Sequence, residues 1–231
     1  MGQPPLPGAA KNPHKILCYV TDGNTFGANR TERVDRVLEK VRSAISAGVD
    51  WVQIREKDLP SRDLLALARS ASGIAHEMRA PGVRAIVNDR LDIALAAGAA
   101  GVHLGGESVP PADAVRWCRS GHAPPDFTIG VSCHSLEQAR EAEAAGANYI
   151  FFGPVFDTPS KRPFGPPQGI AVLQQVCTSV RIPVIAIGGI AAANARECFQ
   201  EGARGIAAIR LFQDATASGL AEIVKTLREN A

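Results

Sequence analysis

The chain has 231 residues, which fits one large domain or two small ones, and 45% of them are hydrophobic, enough to bury a sizeable core. Its net charge of +2 is too small to indicate binding to nucleic acid or to a membrane surface. Aromatic residues make up only 5% of the chain, which argues against stacking platforms for single-stranded nucleic acid. Composition therefore favours a globular protein.

The first 14 residues, MGQPPLPGAAKNPH, are rich in proline and glycine and lack the apolar stretch of a signal peptide. We expect residues 1–14 to be a flexible lead-in and residues 15–231 to form one domain. No apolar run approaches the roughly 18 residues of a membrane-spanning helix. Because the five cysteines are scattered without metal-ligand spacing, we expect reduced thiols and a cytoplasmic location.

Strand and helix patterns alternate along the rest of the chain. Eight runs rich in Val and Ile predict strands at residues 16–22, 51–56, 84–89, 101–105, 128–133, 149–154, 183–189 and 205–211. Helical periodicity fills the intervals, at residues 32–47, 61–78, 91–97, 111–119, 135–145, 168–179, 191–201 and 217–229. Glycines that follow four of these helices are expected to be left-handed caps: Gly48, Gly98, Gly146 and Gly202.

The order of these elements predicts the fold. Strands that alternate with helices call for a parallel sheet, either closed into a barrel or open and doubly wound. Eight such units, together with glycines that recur about every fifty residues, favour an α/β fold of the (β/α)8 TIM-barrel type. In such a barrel the functional site lies at the carboxyl ends of the strands, which we call the mouth.

The stretch WVQIREKD at residues 51–58 brings polar side chains to the end of the second strand. Alternate residues of a strand share a face, so Gln53, Arg55 and Lys57 are predicted to point the same way. Two cations and an amide on one face are suited to binding a phosphate group. The simpler alternative is that Arg55 and Lys57 are surface charges that pair with Glu56 or Asp58.

Other strand ends add to this set. Asn88 and Asp89 follow the third strand, and Asp89 is a candidate Mg²⁺ ligand, although the pair could instead cap the next helix. The Gly188-Gly189 turn is predicted to open a helix whose N-terminus attracts an anion. His103 is explained more simply by packing. Further candidates are predicted to reach the mouth: Ser132, His134, Lys161, Ile209 and Arg210.

The motifs of the chain resemble those of the thiamine phosphate synthase and TenI-like thiazole tautomerase superfamily, over roughly residues 17–229. The resemblance rests on seven segments: YVTD, GVDWVQIREKD, VNDRLDIALAAGAAGVHLG, IGVSCHSLEQA, ANYIFFGPVFDTPSK, IPVIAIGGI and GARGIAAI. For a synthase it implies that pyrophosphate leaves aminopyrimidine methyl pyrophosphate with the help of Mg²⁺. The thiazole phosphate then captures the resulting cation, giving thiamine phosphate.

The resemblance also implies roles for individual residues. Pyrophosphate would be held by Gln53, Arg55, Lys57, Asn88 and Lys161. Asp89 would bind Mg²⁺, and Ser132 would lie near the pyrimidine and the pyrophosphate. The thiazole phosphate would be placed by Thr158, Gly188, Gly189 and Ile209.

Two positions depart from the synthase pattern. Ser108 stands where synthases usually have a second metal-binding aspartate, and Arg210 stands where they commonly have serine. The tautomerase branch tends to lose the metal ligands and uses a histidine at the position of His134, but synthases often have that histidine too. The loss of the aspartate at Ser108 favours the tautomerase. The synthase is favoured by the retention of Arg55, Lys57, Asn88, Asp89 and Lys161.

Two alternatives remain, a thiazole tautomerase and a non-catalytic barrel that binds a thiamine precursor. The long loop 155–168, rich in proline and glycine, is predicted to be a mobile lid that brings Lys161 to the substrate. Homo-oligomerisation stays open.

Overall fold

The computed structural model describes residues 14–27, 29–78, 82–159, 162 and 165–229. Within them, eight parallel strands form a closed barrel in which each strand pairs with its neighbours in the chain and β1 pairs with β8. The strands are β1 Ile16–Val20, β2 Trp51–Ile54, β3 Arg84–Asn88, β4 Gly101–Leu104, β5 Thr128–Cys133, β6 Tyr149–Phe152, β7 Val184–Ile187 and β8 Gly205–Ala208. The predicted (β/α)8 barrel is confirmed.

Helices follow the strands and cover the outside of the barrel. They are α1 Arg30–Ser46, α2 Ser61–Glu77, α3 Leu91–Ala96, α4 Pro111–Trp117, α5 Leu136–Ala144, α6 Gly169–Ser179, α7 Ala195–Gln200, α8 Arg210–Gln213 and α9 Ala217–Glu229. Single turns of 3-10 and π-helix lie at Gly23–Phe26 and Cys118–His122. No helix in the described ranges is long and apolar enough to cross a membrane.

The pleat of the strands divides the core into two parts. Residues of one parity point outward and pack against the helices, in a large cluster that includes Leu17, Val52 and Ile150. Residues of the other parity fill the barrel interior, where Trp51, Ile86 and Tyr149 belong to a second, smaller cluster. The polar residues of this inner parity therefore mark the floor of the mouth.

Glycine permits the sharp returns from helix to strand. Gly48, Gly98, Gly146 and Gly202 all have positive φ, between 64° and 98°, a region that side chains with a Cβ rarely enter. Each one follows a helix and precedes a strand by a few residues, as predicted. These caps turn the chain at the base of the barrel, so every strand runs toward the mouth.

Several predicted boundaries differ by two or more residues, and three of these differences affect predicted site residues. β8 ends at Ala208 rather than at residue 211, and α8 starts at once, so Arg210 is the exposed first residue of a helix and not a strand-end residue. α7 begins at Ala195 rather than at residue 191, so the Gly188-Gly189 turn does not open it directly. β2 ends at Ile54, which leaves Arg55 and Lys57 beyond the strand.

The predicted lead-in, residues 1–14, falls outside the described residues except for His14. The His14 Nε2 atom lies 2.7 Å from Asp50 Oδ1 at the base of the barrel. All five cysteines are free, and Cys133 is fully buried, which raises the pKa of its thiol to about 12 and leaves it unreactive.

Candidate active site

The end of β2 supplies three polar side chains whose exposure increases toward the mouth. Gln53 is buried in the barrel, and its Nε2 atom donates to Asn88 Oδ1 at 3.4 Å. Arg55 is half-buried and Lys57 is exposed. In the described part of the chain, the side chains of Arg55 and Lys57 make no hydrogen bond or ion pair. Their charge is therefore available to a ligand.

The acidic neighbours of these cations are occupied elsewhere. Asp58 accepts from Arg33 Nη2 at 2.6 Å, which lowers the pKa of the Asp58 carboxyl. Glu56 points to the outside of the barrel, where it accepts from Thr21 Oγ1 at 2.6 Å and from the Gly23 amide. The simpler explanation of Arg55 and Lys57 as members of surface ion pairs with Glu56 or Asp58 is therefore wrong.

Asn88 and Asp89 place a carboxylate at the end of β3. Asp89 has a φ of 61°, the only positive φ among the non-glycine residues described, and Asp tolerates this conformation better than most residues. Its Oδ2 accepts from Asn88 Nδ2 at 2.6 Å. Its Oδ1 accepts from the Gly105 amide at 3.0 Å and from Ser108 Oγ at 2.5 Å. Asn88 and Asp89 thus do not cap α3 with their side chains.

Ser108 takes part in fixing this carboxylate. Its Oγ also accepts from the Gly105 amide at 2.8 Å, so the loop after β4 closes around Asp89 through neutral donors. Glu107, the next acidic residue, is exposed. The described residues contain no group of three His, Cys, Asp or Glu side chains that could hold a metal by themselves.

His103 and Ser132 lie on neighbouring strands in the barrel interior. His103 Nε2 is 2.9 Å from Ser132 Oγ, and His103 Nδ1 is 3.2 Å from the hydroxyl of Tyr149. Phe151 packs on the imidazole with ring centroids 4.1 Å apart. Burial lowers the pKa of His103 to about 3, so the ring is neutral near pH 7. The packing explanation of His103 is incomplete, because the ring also contacts a predicted site residue.

His134 follows β5 and is exposed. Its Nδ1 contacts the carbonyl oxygen of Gly153, which can only accept, so Nδ1 carries the hydrogen. Its backbone amide donates to Gln138 Oε1 at 2.6 Å. This contact holds the ring in place and leaves Nε2 without a hydrogen-bond partner among the described residues.

The turn after β7 packs closely against the loop after β6. A Cβ on Gly188 would lie 2.5 Å from Pro154 Cβ, and a Cβ on Gly189 would lie 2.6 Å from the carbonyl oxygen of Asp157. Both glycines also have positive φ. A helix does not begin at this turn as predicted. Instead the side chain of Asn194 stabilises the turn, because it accepts from the Ala191 amide and donates to the Gly189 carbonyl.

Three further predicted site residues belong to the loop after β6 and to the end of β8. Thr158 is half-buried in the loop after β6, and Ile209 is half-buried next to the interior cluster. The base of the predicted lid is fixed, because Val155 and Phe156 donate backbone hydrogen bonds to Ile187 and Gly188. Lys161 lies outside the described residues.

Sequence reasoning missed two buried polar residues next to the mouth, Glu56 and Gln213. Gln213 accepts from Tyr19 and from the Asp22 amide, and so ties α8 to the end of β1. Glu56 shares the parity of Val52 and Ile54, the residues of β2 that pack against the helices, and this pattern was the available signal of a carboxylate buried on the outer side of the barrel.

The profile of the thiamine monophosphate synthase family matches residues 18–212. The chain belongs to this family. It is similar to the thiamine-phosphate synthase of Methanoculleus marisnigri, at 42% identity over 83% of this chain and 84% of the relative. It is 37% identical to the enzyme of the same name from Roseiflexus castenholzii, over 89% of this chain and 86% of the relative.

A solved structure gives the same answer. Thiamine phosphate pyrophosphorylase from Pyrococcus furiosus superposes with a TM-score of 0.78 at 34% identity, and the match covers 94% of this chain and 97% of that one. The similarity in sequence and in fold extends over β1 to α8, and so over all the strand ends described above.

Proposed function

We propose that the chain is a thiamine phosphate synthase, a transferase that couples aminopyrimidine methyl pyrophosphate with thiazole phosphate to give thiamine phosphate and pyrophosphate. Family membership supports this activity, and the curated relatives carry the same name. The observation that carries it in this chain is that Arg55 and Lys57 stand at the mouth of the barrel without an acidic partner among the described residues.

These cations would bind the pyrophosphate group and stabilise its negative charge as it leaves. Arg55 is half-buried, where fewer waters screen its charge, and Lys57 reaches outward as a point charge. Gln53 and Asn88 are held by each other, so their amides present fixed dipoles at the floor. Lys161 stays a prediction for the same group. The reaction would be accelerated because fixed positive charges already lie where negative charge develops on the leaving pyrophosphate.

Mg²⁺ is proposed as the cofactor, and the residues present fit an ion held by a single protein carboxylate together with the substrate. Mg²⁺ is often held by one or two carboxylates together with substrate phosphates, and Asp89 supplies one carboxylate. Its Oδ2 accepts one hydrogen bond and keeps a lone pair, whereas Oδ1 already accepts two. When bound, the ion would neutralise charge on the leaving pyrophosphate.

The thiazole phosphate would lie on the other side of the mouth. There the half-buried Gly188-Gly189 turn, with positive φ at both residues, would offer backbone amides to the phosphate, together with the half-buried residues Thr158 and Ile209. Arg210, at the start of α8, would add positive charge for this phosphate. In the tautomerase alternative, His134 would accept or donate a proton of the thiazole carboxylate phosphate at its Nε2. We further propose a cytoplasmic location, supported by the five free cysteines.

The test is a synthase assay on the purified chain with both substrates, with and without Mg²⁺. We expect Mg²⁺-dependent release of pyrophosphate and formation of thiamine phosphate, detected by mass spectrometry. Conversion of the thiazole carboxylate phosphate between tautomers, lost in His134→Ala and without any release of pyrophosphate, would identify an isomerase instead. Binding of either substrate without turnover would identify a non-catalytic barrel.

A further inference from the structure

Three polar side chains form a continuous hydrogen-bonded series inside the barrel. Tyr149 is fully buried at the start of β6, and its hydroxyl lies 3.2 Å from His103 Nδ1 on β4. His103 is 1% exposed, and its Nε2 lies 2.9 Å from Ser132 Oγ on β5. Ser132 is half-buried, so the series runs from the interior of the barrel to the mouth.

The hydrogen positions in this series follow from the number of donors. A neutral imidazole has one N–H and one acceptor nitrogen, and a phenol has one O–H. In the described part of the chain, His103 Nδ1 is the only hydrogen-bond partner of the Tyr149 hydroxyl. If Nδ1 carried the hydrogen, the buried phenolic hydrogen would have no acceptor, at a cost of about 1–3 kcal/mol. Tyr149 therefore donates to Nδ1.

This choice determines the tautomer and the direction of the last bond. With Nδ1 as acceptor, the ring hydrogen lies on Nε2, and Nε2 donates to Ser132 Oγ. The serine hydrogen can then not point back at His103. The hydrogen is left to point away from the imidazole, and the half-buried position of Ser132 at the end of β5 gives it access to the mouth.

Packing fixes the two inner members in place. Gly130, on β5 opposite Tyr149 in the register, has no side chain, and a Cβ there would lie 2.0 Å from Tyr149 Cζ. The ring also contacts Trp51, with centroids 4.8 Å apart in an edge-on arrangement, and Phe151 covers the imidazole. Neither ring can turn without disturbing these contacts.

We propose that Tyr149 and His103 are positioning residues that set Ser132 as a hydrogen-bond donor to an acceptor atom of the bound phosphorylated pyrimidine. This inference rests on the proposed function for the identity of the substrate. The tautomer and the hydrogen-bond directions belong to the free protein and do not depend on the function. Ser132 thus contacts the ligand, and the other two residues act through it.

The first test needs no substrate. In the full chain labelled with ¹⁵N, NMR of the imidazole nitrogens at pH 7 should show His103 with a hydrogen on Nε2 and none on Nδ1. His103→Gln identifies the signals by their loss. A hydrogen on Nδ1, or on both nitrogens, would overturn the proposal even if the enzyme is a synthase.

The second test uses the only two tyrosines of the chain as a matched pair. Tyr149→Phe should lower kcat/KM for the pyrimidine substrate about three- to tenfold, the equivalent of one hydrogen bond. Tyr19→Phe loses a buried hydroxyl that bonds Gln213 on the outer side of the barrel, and should leave kcat/KM unchanged within about twofold. Equal effects of the two changes would contradict the proposal.

A double-mutant cycle separates positioning from general packing. In a Ser132→Ala background the hydroxyl that the series directs is absent, so adding Tyr149→Phe should have no further effect on kcat/KM. A loss of the same size in both backgrounds would show that Tyr149 acts through structure alone. If the unmodified chain forms no thiamine phosphate, the proposed function fails, and the NMR result still decides the tautomer.

Discussion

Both ends of the barrel contain charged residues, but in the described part of the chain those at the base are paired with each other and the cations that follow β2 at the mouth are not. At the base, Asp50 accepts from Arg228 Nη2 and from the Leu17 amide, both at 2.7 Å, and so ties α9 to β1 and β2. At the mouth, Arg55 and Lys57 make no ion pair within the described residues. The Asp89 carboxylate there is held by neutral donors instead of cations.

The difference separates stability from function. Removing one member of a partly buried pair leaves its partner unsatisfied and lowers stability, whereas a charge with no partner in the protein can be removed at little cost to the fold and is available to a ligand. Removing a residue at the base should therefore change unfolding, and removing one at the mouth should change turnover. Each of the following substitutions tests one side of this contrast.

Lys57→Ala should have the largest effect, and on activity alone. We expect kcat/KM to fall about 10²–10³-fold, because a fixed charge on the leaving group is lost. The free energy of unfolding, measured in urea, should change by less than about 0.5 kcal/mol, since the side chain is exposed. Lys225→Ala, on the exposed face of α9, is the control and should alter neither quantity. Undiminished turnover in Lys57→Ala would remove the end of β2 from the site.

Gly130→Ala tests the layer between the two ends. The new Cβ would meet the ring of Tyr149, and such overpacking should lower the free energy of unfolding by about 3 kcal/mol. Gly73→Ala is the matched control, because nothing lies within 4 Å of a Cβ there, in the middle of α2. It should raise stability by about 0.5–1 kcal/mol. Urea unfolding of both variants measures the contrast, and equal stabilities would show that Tyr149 can move aside.

Arg228→Ala should weaken the base without affecting the mouth. The guanidinium contacts Asp50 and the carbonyl oxygens of Lys15 and Gly48, so its removal leaves several partly buried acceptors unpaired. We expect the free energy of unfolding to fall by about 2 kcal/mol while kcat/KM stays constant. Arg42→Ala breaks an exposed pair with Glu77 and should cost less than about 1 kcal/mol. A loss of turnover in folded Arg228→Ala would show that the base of the barrel also affects catalysis, and would contradict the separation of stability from function.

The sequence predicted the barrel because its signals are local. Alternation of Val and Ile marks the strands, and a glycine between helix and strand marks each return, as at Gly48 and Gly146. The same rule placed Arg55 and Lys57 at the mouth, because strand ends meet there whatever the details of packing. The prediction of the candidate site is therefore strongest where it follows from the topology.

What the sequence left out depends on contacts between distant residues. The sequence predicts Arg210 in a strand because the apolar residue Leu211 continues the pattern, and nothing local marks the start of α8. The series from Tyr149 through His103 to Ser132 crosses three strands, so it depends on their stagger in the closed barrel. The residue pattern along one strand does not determine its register against the neighbouring strands, so this series could not be predicted from the sequence.

Glu56→Gln should have the smallest effect, on the pH dependence of stability. Burial raises the pKa of Glu56 in the folded chain, although Thr21 and Gly23 oppose the shift by donating to the carboxylate. As pH rises from about 4.3, the usual value in an unfolded chain, the unfolded state loses its proton before the folded state does. The free energy of unfolding contributed by Glu56 therefore falls as pH rises toward the raised pKa.

The measurement is urea unfolding of the unmodified chain and of Glu56→Gln at intervals between about pH 4 and 8. This range begins near the pKa of an unfolded glutamate and extends upward through the raised pKa of the folded state. The variant should lack the fall, and the difference in slope should stay below about 1.4 kcal/mol per pH unit, the limit for one proton. The constant offset between the two curves reports the altered hydrogen bonds to Thr21 and Gly23 and does not enter the comparison. Curves of identical slope would mean that the hydrogen bonds from Thr21 and Gly23 stabilise the Glu56 carboxylate as well as water does, so that its burial carries no cost in charge.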